Sequence, residues 1–568
     1  MNWRTWKHNW RLYLLLLLTG ICVYLAFVLA NLSPRYLWLL LPGALGAGLA
    51  YLEYRRLQRQ KLLTQLRSQW GTAELKKERD FQAIASLFLQ APRGEEALDD
   101  RTWQDLTMDA VFARLDRTLT WPGMQVLYRL LRLPELGNLE KLRRRSAAIA
   151  GFQEDADLRE KVQLMLSSME RRIGSGLCTL LWDTPQIKPH LPLLVYNLLF
   201  LAALFSPLLL LLSPRFVLAL VFLFQINMYL HFKVQKEIRA YFEGVRALRQ
   251  LISVGKQLAQ LDAECLGALP QTIREALGRV TAFNKIVRYV GMESTDPLTH
   301  MFEQYVTIFY LAEVRGFYRA LDFIAQNREA LQTLFLAVGE LDALQSVASY
   351  RASLTYFCEP EFTAQRGLQL EGAYHPLLDE PVPNSIGVSN RGILITGSNM
   401  SGKSTLLRTV GVNVLLAQSI ATCLAKSYRA CPLRLVTSIG RADNLIEGKS
   451  YYLEEALSVL RILENVQERV TILAIFDELF RGTNSEERIF AAQRVLQYLI
   501  GRNALVLAAT HDLELCDLLA EEYTSYHFSE RVGDLGLEFD YKLKAGPATT
   551  RNALALLRYL GYPQEVTD

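Results

Sequence analysis

The sequence predicts a multidomain α+β chain: two transmembrane helical hairpins, one N-terminal and one inserted within an all-helical region, followed by a C-terminal α/β P-loop domain. Three observations predict it. Four uncharged apolar stretches of roughly bilayer-spanning length fall in two closely spaced pairs. The segments between and after these pairs carry helical apolar spacing. Finally, Arg391–Thr396 reads as a strand and runs into Gly397-Ser-Asn-Met-Ser-Gly402-Lys403-Ser404-Thr405, a fit to the phosphate-cradling pattern GxxxxGK[ST].

Bulk properties agree. A length of 568 residues accommodates about three to four domains. The net charge of +4 is too small to indicate a nucleic-acid partner by itself. The seven cysteines (Cys22, Cys178, Cys265, Cys358, Cys423, Cys431 and Cys516) form no CxxC pair and no Cys/His cluster. That argues against a disulfide framework and a structural zinc site, and fits a reducing compartment. A mean hydropathy above zero is high for a soluble nucleotide-binding protein, and the paired apolar stretches cause it.

Residues 1–52 form the first hairpin, with spans at Leu12–Ala30 and Tyr36–Leu52 around the turn Asn31-Leu-Ser-Pro-Arg35. Residues 191–232 form the second, Leu191–Leu212 and Phe216–Phe232, joined by Ser213-Pro214-Arg215. Both turn at Ser-Pro-Arg, either a faint internal repeat or a coincidence. The competing reading is buried core helices or, for the first, a cleaved signal peptide, although Ala30-Asn31-Leu32 is a poor cleavage site. Within the fourth stretch, Gln225, Asn227 and His231 would be costly facing lipid. Basic residues set the orientation. Arg4, Lys7 and Arg11 precede the first span; Arg55, Arg56, Arg59 and Lys61 follow the second; Lys233 and Lys236 follow the fourth; each turn holds one arginine. Both hairpins therefore dip from the cytoplasm, which predicts a multi-pass protein of the inner or plasma membrane with its large segments inside. Residues 53–95 read as a charged juxtamembrane helical linker, a helix over 53–80 emerging from the bilayer with basic residues suited to anionic lipid heads. Residues 96–190 and 233–360 are the two parts of the helical region, and 361–568 the nucleotide domain.

In the P-loop, Gly397 and Gly402 let backbone N–H groups close around phosphate oxygens, helped by the positive end of the helix read over Leu406–Ser419. Gly397, Ser398, Asn399, Met400, Ser401, Gly402, Lys403, Ser404 and Thr405 are thus the candidate binding loop. Lys403 reaches the β/γ-phosphates and Ser404 can ligate Mg²⁺. Thr471-Ile-Leu-Ala-Ile-Phe476-Asp477-Glu478 is an apolar strand ending in two carboxylates. Asp477 would hold Mg²⁺, and Glu478 would act as general base on the attacking water. A further strand, Ala504–Ala509, ends in Thr510-His511-Asp512, where His511 can sense the γ-phosphate. The chemistry implied is binding and hydrolysis of ATP with Mg²⁺, using Lys403, Glu478 and His511.

These residues resemble the MutS-type ATPases of DNA mismatch repair, a branch of the ABC-ATPase superfamily. His375-Pro376-Leu377-Leu378 and Val382-Pro383-Asn384 resemble the start of that family's nucleotide domain, which implies His375 near the adenine. Gly397–Thr405 is similar to its GPNMGGKST loop, and Gln418 falls where the family has a glutamine after the P-loop helix. Ser438-Ile-Gly-Arg-Ala-Asp443 with Gly448-Lys-Ser450-Tyr-Tyr-Leu-Glu-Glu455 resembles the signature ending in STFxxE. Phe480-Arg-Gly-Thr483, Phe539-Asp-Tyr-Lys-Leu, Gly546 and Leu560-Gly-Tyr-Pro563 resemble later family segments. Upstream, Asp116-Arg-Thr118-Leu-Thr120-Trp-Pro-Gly123 and Glu340-Leu-Asp342-Ala-Leu-Gln-Ser346 resemble its helical lever domain. The resemblance implies a homodimer of ABC-type heads with composite sites, Ser450 meeting the nucleotide of the other subunit. It also implies levers that carry the ATP state to DNA.

The sequence also departs from that pattern. No domain resembling the mismatch reader precedes the levers, and Phe152-Gln-Glu154 lies in a helical segment. The lever region is short for a DNA-embracing clamp, and no nuclease or helix-turn-helix is expected after Pro563. Ser398 and Ser401 replace Pro and Gly, Tyr451-Tyr452 replaces Thr-Phe, and Ser438 stands where arginine is usual. Lys141–Arg145 and Arg171-Arg172 read first as solvated helix faces and second as phosphate contacts. Tyr305, Phe309, Tyr310, Phe317 and Tyr318 read as core at helical spacing. The leading expectation is a membrane-anchored MutS-like ATPase that engages DNA. Two alternatives stay open: an ABC-type transporter, and a nucleotide-dependent membrane scaffold that binds no DNA.

Overall fold

The computed structural model describes residues 3–30, 33–72, 77–169, 176–183, 189–287, 290, 297–398, 401–439, 451–466, 470–533, 536–548 and 562–563. Trp3–Ala30 and Leu40–Gln69, joined through the 3₁₀ turn Pro34–Leu39, form the first apolar hairpin. Only 6% and 11% of their apolar windows are buried, so the leucine-rich surface faces outward. The second helix continues past its apolar part and ends at Gln69, short of the helix expected over 53–80. It docks there instead: Arg67 holds Glu160 at 2.6 and 2.8 Å, and the Arg159 guanidinium lies over Trp70.

In the second hairpin, Leu193–Leu209 meets Val217–Leu258, a helix of 42 residues that passes unbroken into the helical region. Among the described residues, three helices are long and apolar enough to cross a membrane, and Leu193–Leu209, with 17 residues, falls short. The weakest candidate is therefore the third stretch, not the fourth. Two of the polar residues in the fourth stretch turn away from the outside: Asn227 and His231 are buried against the Pro297–Phe309 and Ala312–Gln326 helices. Asn227 Nδ2 donates to Phe309 O at 2.7 Å, and His231 Nε2 lies 3.9 Å from Glu313.

The helical region is built around Arg328–Arg351, which is buried on every side from Leu341 onward. The Asp116–Gly123 motif packs against it. Asp342, fully buried, accepts from Leu119 N, Thr120 N and Thr120 Oγ1 at 2.6–3.1 Å. Thr120 caps Trp121–Arg132 by accepting from Gly123 N, and Pro122 suits the first turn. A Cβ at Gly123 would sit 2.1 Å from Asp342 Oδ2, so only glycine lets the two helices approach.

Among the described residues, the C-terminal part holds ten strands: β1 Glu361–Phe362, β2 Leu368–Ala373, β3 Asn384–Val388, β4 Gly392–Thr396, β5 Ser427–Ala430, β6 Leu433–Ser438, β7 Thr471–Asp477, β8 Ala504–Ala509, β9 Tyr523–Gly533 and β10 Gly536–Ala545. A mixed sheet has the order β1-β5-β2-β3. The larger sheet has the order β10-β9-β4-β8-β7-β6 and is parallel except for β10. Alternate residues feed two cores, as the period of two requires. Ile393, Ile395, Leu473 and Ile475 join the P-loop helix and the helical region, while Leu394, Ile472, Ala474 and Phe476 pack on Ser485–Ile500. Strands buried on both faces explain the near-continuous apolar runs.

The basic patch at Lys141–Arg145 shares three carboxylates among four cations. Lys141 pairs with Glu135, Arg143 and Arg144 with Glu140, and Arg145 is buried between Glu135 and Glu340. Arg171 and Arg172 lie outside the described residues. Phe152, Phe317 and Tyr318 are core, but Tyr305 is exposed.

Candidate nucleotide-binding site

Strand β4, buried throughout, ends at Thr396 and delivers the loop to the N-terminus of the Lys403–Ile420 helix. Gly397 (φ 141°) and Gly402 (φ 107°) take backbone conformations closed to other residues at little cost. Ser401 is buried and donates Oγ to Ser398 O at 2.8 Å, which closes the turn, while Ser398 Oγ donates to Glu530. Thr405 lines the adjoining cleft. Asn399 and Met400 lie outside the described residues.

Lys403 Nζ donates to Gly397 O (2.6 Å) and Ser398 O (2.7 Å), so its charge stands at the centre of the loop. Burial pushes its pKa down to about 8, an effect the Glu478 and Asp477 carboxylates oppose. Ser404 Oγ donates to Asp477 Oδ2 at 2.5 Å, across from the end of β7. The other oxygen, Asp477 Oδ1, is buried without a hydrogen-bond partner among the described residues. A hydroxyl and an unsatisfied carboxylate oxygen are hard donors suited to Mg²⁺, which takes few protein ligands alongside water and phosphate. The residues fit the ion.

Glu478 sits in the left-handed region (φ 60°) directly after β7, a strained position for a non-glycine residue. Its amide is held by Ala509 O at 3.0 Å, which fixes it beside the end of β8. Glu478 Oε1 lies 2.8 Å from His511 Nε2, which itself lies 3.3 Å from Lys403 Nζ. Burial raises the pKa of the Glu478 carboxyl, but the hydrogen bond from His511 and the charges of His511, Arg481 and Lys403 outweigh it, so the group stays below its ordinary value. Arg481, which the sequence reading gave no role, pairs with Glu478. Arg488 holds Asp512 at 2.9 and 2.5 Å and so steadies the turn that carries His511.

Beside the loop opens a cleft of about 460 Å³ lined by His375, Leu378, Val382, Thr409, Phe528 and Tyr541, among others. His375 Nδ1 accepts from Leu377 N at 3.3 Å, while Nε2 is buried without a partner among the described residues. Burial, then Arg408, pushes its pKa down to about 4, so the ring is neutral and able to bond a ligand. Phe528 and Tyr541 were not anticipated. Tyr541 (φ 51°) lies where the β9–β10 register shifts, and Asn384 grips that bulge by donating to Tyr541 O (2.9 Å) and accepting from Leu543 N (2.8 Å). An Asn at the first position of a strand carries no signal for so distant a partner.

Two expected site residues are not brought to this cleft. Gln418 lies fifteen residues beyond Lys403 on the P-loop helix, about 22 Å along its axis. Both ends of its buried amide are used by Leu433, with Nε2 donating to O at 2.9 Å and Oε1 accepting from N at 2.6 Å. It secures β6 and is corrected here to a structural residue. Ser450, with the rest of residues 440–450, lies outside the described residues.

The model of MutS domain V matches residues 393–568. The chain is 32% identical over 267 residues to the DNA mismatch repair protein MutS of Natronomonas pharaonis, covering 45% of this chain and 31% of that protein. The proteins of the same name from Streptococcus gordonii (31% over 267 residues, 45% and 31%) and Streptococcus uberis (32% over 260 residues, 44% and 30%) are similar. The chain thus spans about a third of the length of these curated relatives. With a loop, two strand ends and an adjoining cleft arranged as the motifs require, residues 393–568 match MutS domain V, and 45% of the chain is similar to MutS proteins.

Proposed function

We propose that this chain is an ATPase of ABC type that binds and hydrolyses ATP to ADP and phosphate and moves its helical lever region in response. The observation that carries this is Glu478, held ionised between His511 and Arg481 within reach of Lys403. Loop N–H groups and Lys403 bind the triphosphate tail, and the cleft at His375 and Tyr541 receives the base. Ser404 and Asp477 would hold Mg²⁺, which supplies charge neutralisation to the phosphate oxygens when bound. Glu478 orients a water toward the γ-phosphate and accepts its proton, and His511 fixes the carboxylate and senses the transferred group. Glu478→Gln in the full chain should retain ATP binding and lose hydrolysis by about 10²–10⁴-fold. Hydrolysis at the wild-type rate would refute the assignment.

The reading extends to a membrane-anchored homodimer with DNA as the lever's ligand. Anchoring is supported by the outward-facing apolar helices, and DNA by the printed function of the relatives. ATPase rate of the detergent-solubilised protein with duplex, mismatched and branched DNA tests the second half. Absence of any DNA affinity at low salt would remove it and favour a scaffold role.

A further inference from the structure

Against the second hairpin lie two arginines to which the described residues supply no carboxylate partner. The Ala312–Gln326 helix packs beside Leu193–Leu209 and sends Arg315 and Arg319, one helical turn apart, to a single acceptor. Arg315 Nε donates to Asn197 Oδ1 at 3.0 Å and Arg319 Nη2 to the same atom at 3.1 Å. The Arg315 guanidinium also covers the Phe200 ring at 3.8 Å. A neutral amide oxygen cannot neutralise two cations, and among the described residues neither arginine forms an ion pair with a carboxylate. Other inter-element arginines do: Arg145, Arg351, Arg461 and Arg488 each meet one. Glu237, also on the second hairpin, is taken by His190 at 3.1 Å.

The surroundings are apolar. Leu194, Leu198 and Leu201, at helical spacing on Leu193–Leu209, are 67%, 55% and 44% exposed. Asn197 lies four residues, about 6 Å, along this helix from Leu193, its cytoplasmic end in the orientation given by the basic residues. That is headgroup depth for the inner leaflet. Two convergent guanidiniums at a low-dielectric edge need an anion, and guanidinium matches phosphate oxygens bidentately.

We propose that Arg315 and Arg319, converging on Asn197, form a headgroup site for one anionic phospholipid whose acyl chains lie along Leu194, Leu198 and Leu201. The inference rests on the membrane reading above and adds a selective ligand to it. The phosphate of a lipid, not free phosphate, is the ligand, because the leucine stripe is continuous with the site.

The test uses the full chain, solubilised in mild detergent and titrated with phosphatidylglycerol or phosphatidylcholine under native mass spectrometry. Wild type should retain phosphatidylglycerol about tenfold or more over phosphatidylcholine, since each basic residue near an anionic surface adds roughly a factor of five. Arg315→Gln with Arg319→Gln should abolish the preference. Asn197→Asp should do so as well, by placing a carboxylate between the guanidiniums, and it keeps the packing intact where the double variant could misfold. Retained preference in folded Asn197→Asp protein overturns the proposal, as does equal displacement of the lipid by inorganic phosphate. Failure of the membrane reading itself reads differently: wild-type protein would then stay in the supernatant when membranes are sedimented without detergent.

Discussion

Asp105 ends the helix Asp100–Asp105 and reaches across to the exit of β6, the point from which residues 440–450 depart. Its Oδ2 accepts from Thr437 Oγ1 at 2.8 Å and from Ile439 N at 2.9 Å, while its own carbonyl accepts from Arg408 on the P-loop helix. Asp105 is 3% exposed, and Thr437 and Ile439 are also buried. Asp105→Ala leaves both donors without the anionic acceptor. Hydrogen bonds to charged groups are worth about 1.5–3 kcal/mol each, and two that share one oxygen do not add fully, so the site should lose about 3 kcal/mol. The share resting on the Ile439 amide, about 2 kcal/mol, corresponds to roughly 30-fold in a local opening equilibrium. Hydrogen exchange of the full chain in detergent should therefore show the Ile439 amide accelerated by about 30-fold, with Leu473 in the centre of the sheet unchanged. Asp105→Asn, which keeps one acceptor oxygen, should fall between. Exchange at Ile439 within threefold of wild type in the alanine variant would show that the helical region does not hold this strand end.

Three further outcomes follow from contacts of the same kind. Gln418→Ala should cost about 2–4 kcal/mol, because Leu433 N and O lose their partners in the core, while ATP affinity of the folded fraction stays at the wild-type level. Reduced affinity in nucleotide titrations would return Gln418 to the binding site. Asp116, fully buried, is desolvated, but Lys77, Thr118 and Arg79 outweigh this and hold its pKa below the ordinary 3.8. A depressed folded pKa stabilises above the unfolded value, so the stability gap between wild type and Asp116→Asn should be full at pH 7 and close as pH falls below about 4; a gap constant down to pH 3 would contradict this. Gly123→Ala should force the Trp121–Arg132 helix off Asp342 and lower the thermal midpoint, whereas Gly278→Ala, with open space around it, should not.

The P-loop and its two partner strands were legible because their signals are local: a strand, a nine-residue motif needing glycine and a helix follow one another directly. What sequence could not disclose depends on partners far along the chain. Gln418 is a core residue only because Leu433 returns beside it, and Tyr541 enters the cleft only because Asn384 pins its bulge. Asn227 and His231 read as defects in a span, yet residues 297–326 fold back to cover them. The charged helix over 53–80 was drawn too long because composition shows where apolar character stops and not where a helix docks. Arg481 lies in a family-like segment, but its pairing with Glu478 follows from two left-handed residues, Glu478 and Phe480, on either side of Leu479.

The same contacts say how the lever could be driven. The P-loop helix presents its N-terminus to the phosphate site, and its C-terminal carbonyls meet two buried arginines from two helices of the helical region. Arg145 Nη1 donates to Ser419 O at 3.1 Å, and Arg351 Nη2 to Ala421 O at 2.7 Å. Cations at a helix C-terminus are favoured by the macrodipole, and each guanidinium is anchored in turn by Glu340 or Glu359. Under the proposed function, this stiff helix is the route by which a shift of Lys403 and Ser404 would reach Ser419 and Ala421, and from there Leu139–Glu154 and Arg328–Arg351. Of the KLRRR run, Arg145 thus serves the far end of the P-loop helix, while Arg143 and Arg144 stay exposed and share the one carboxylate of Glu140.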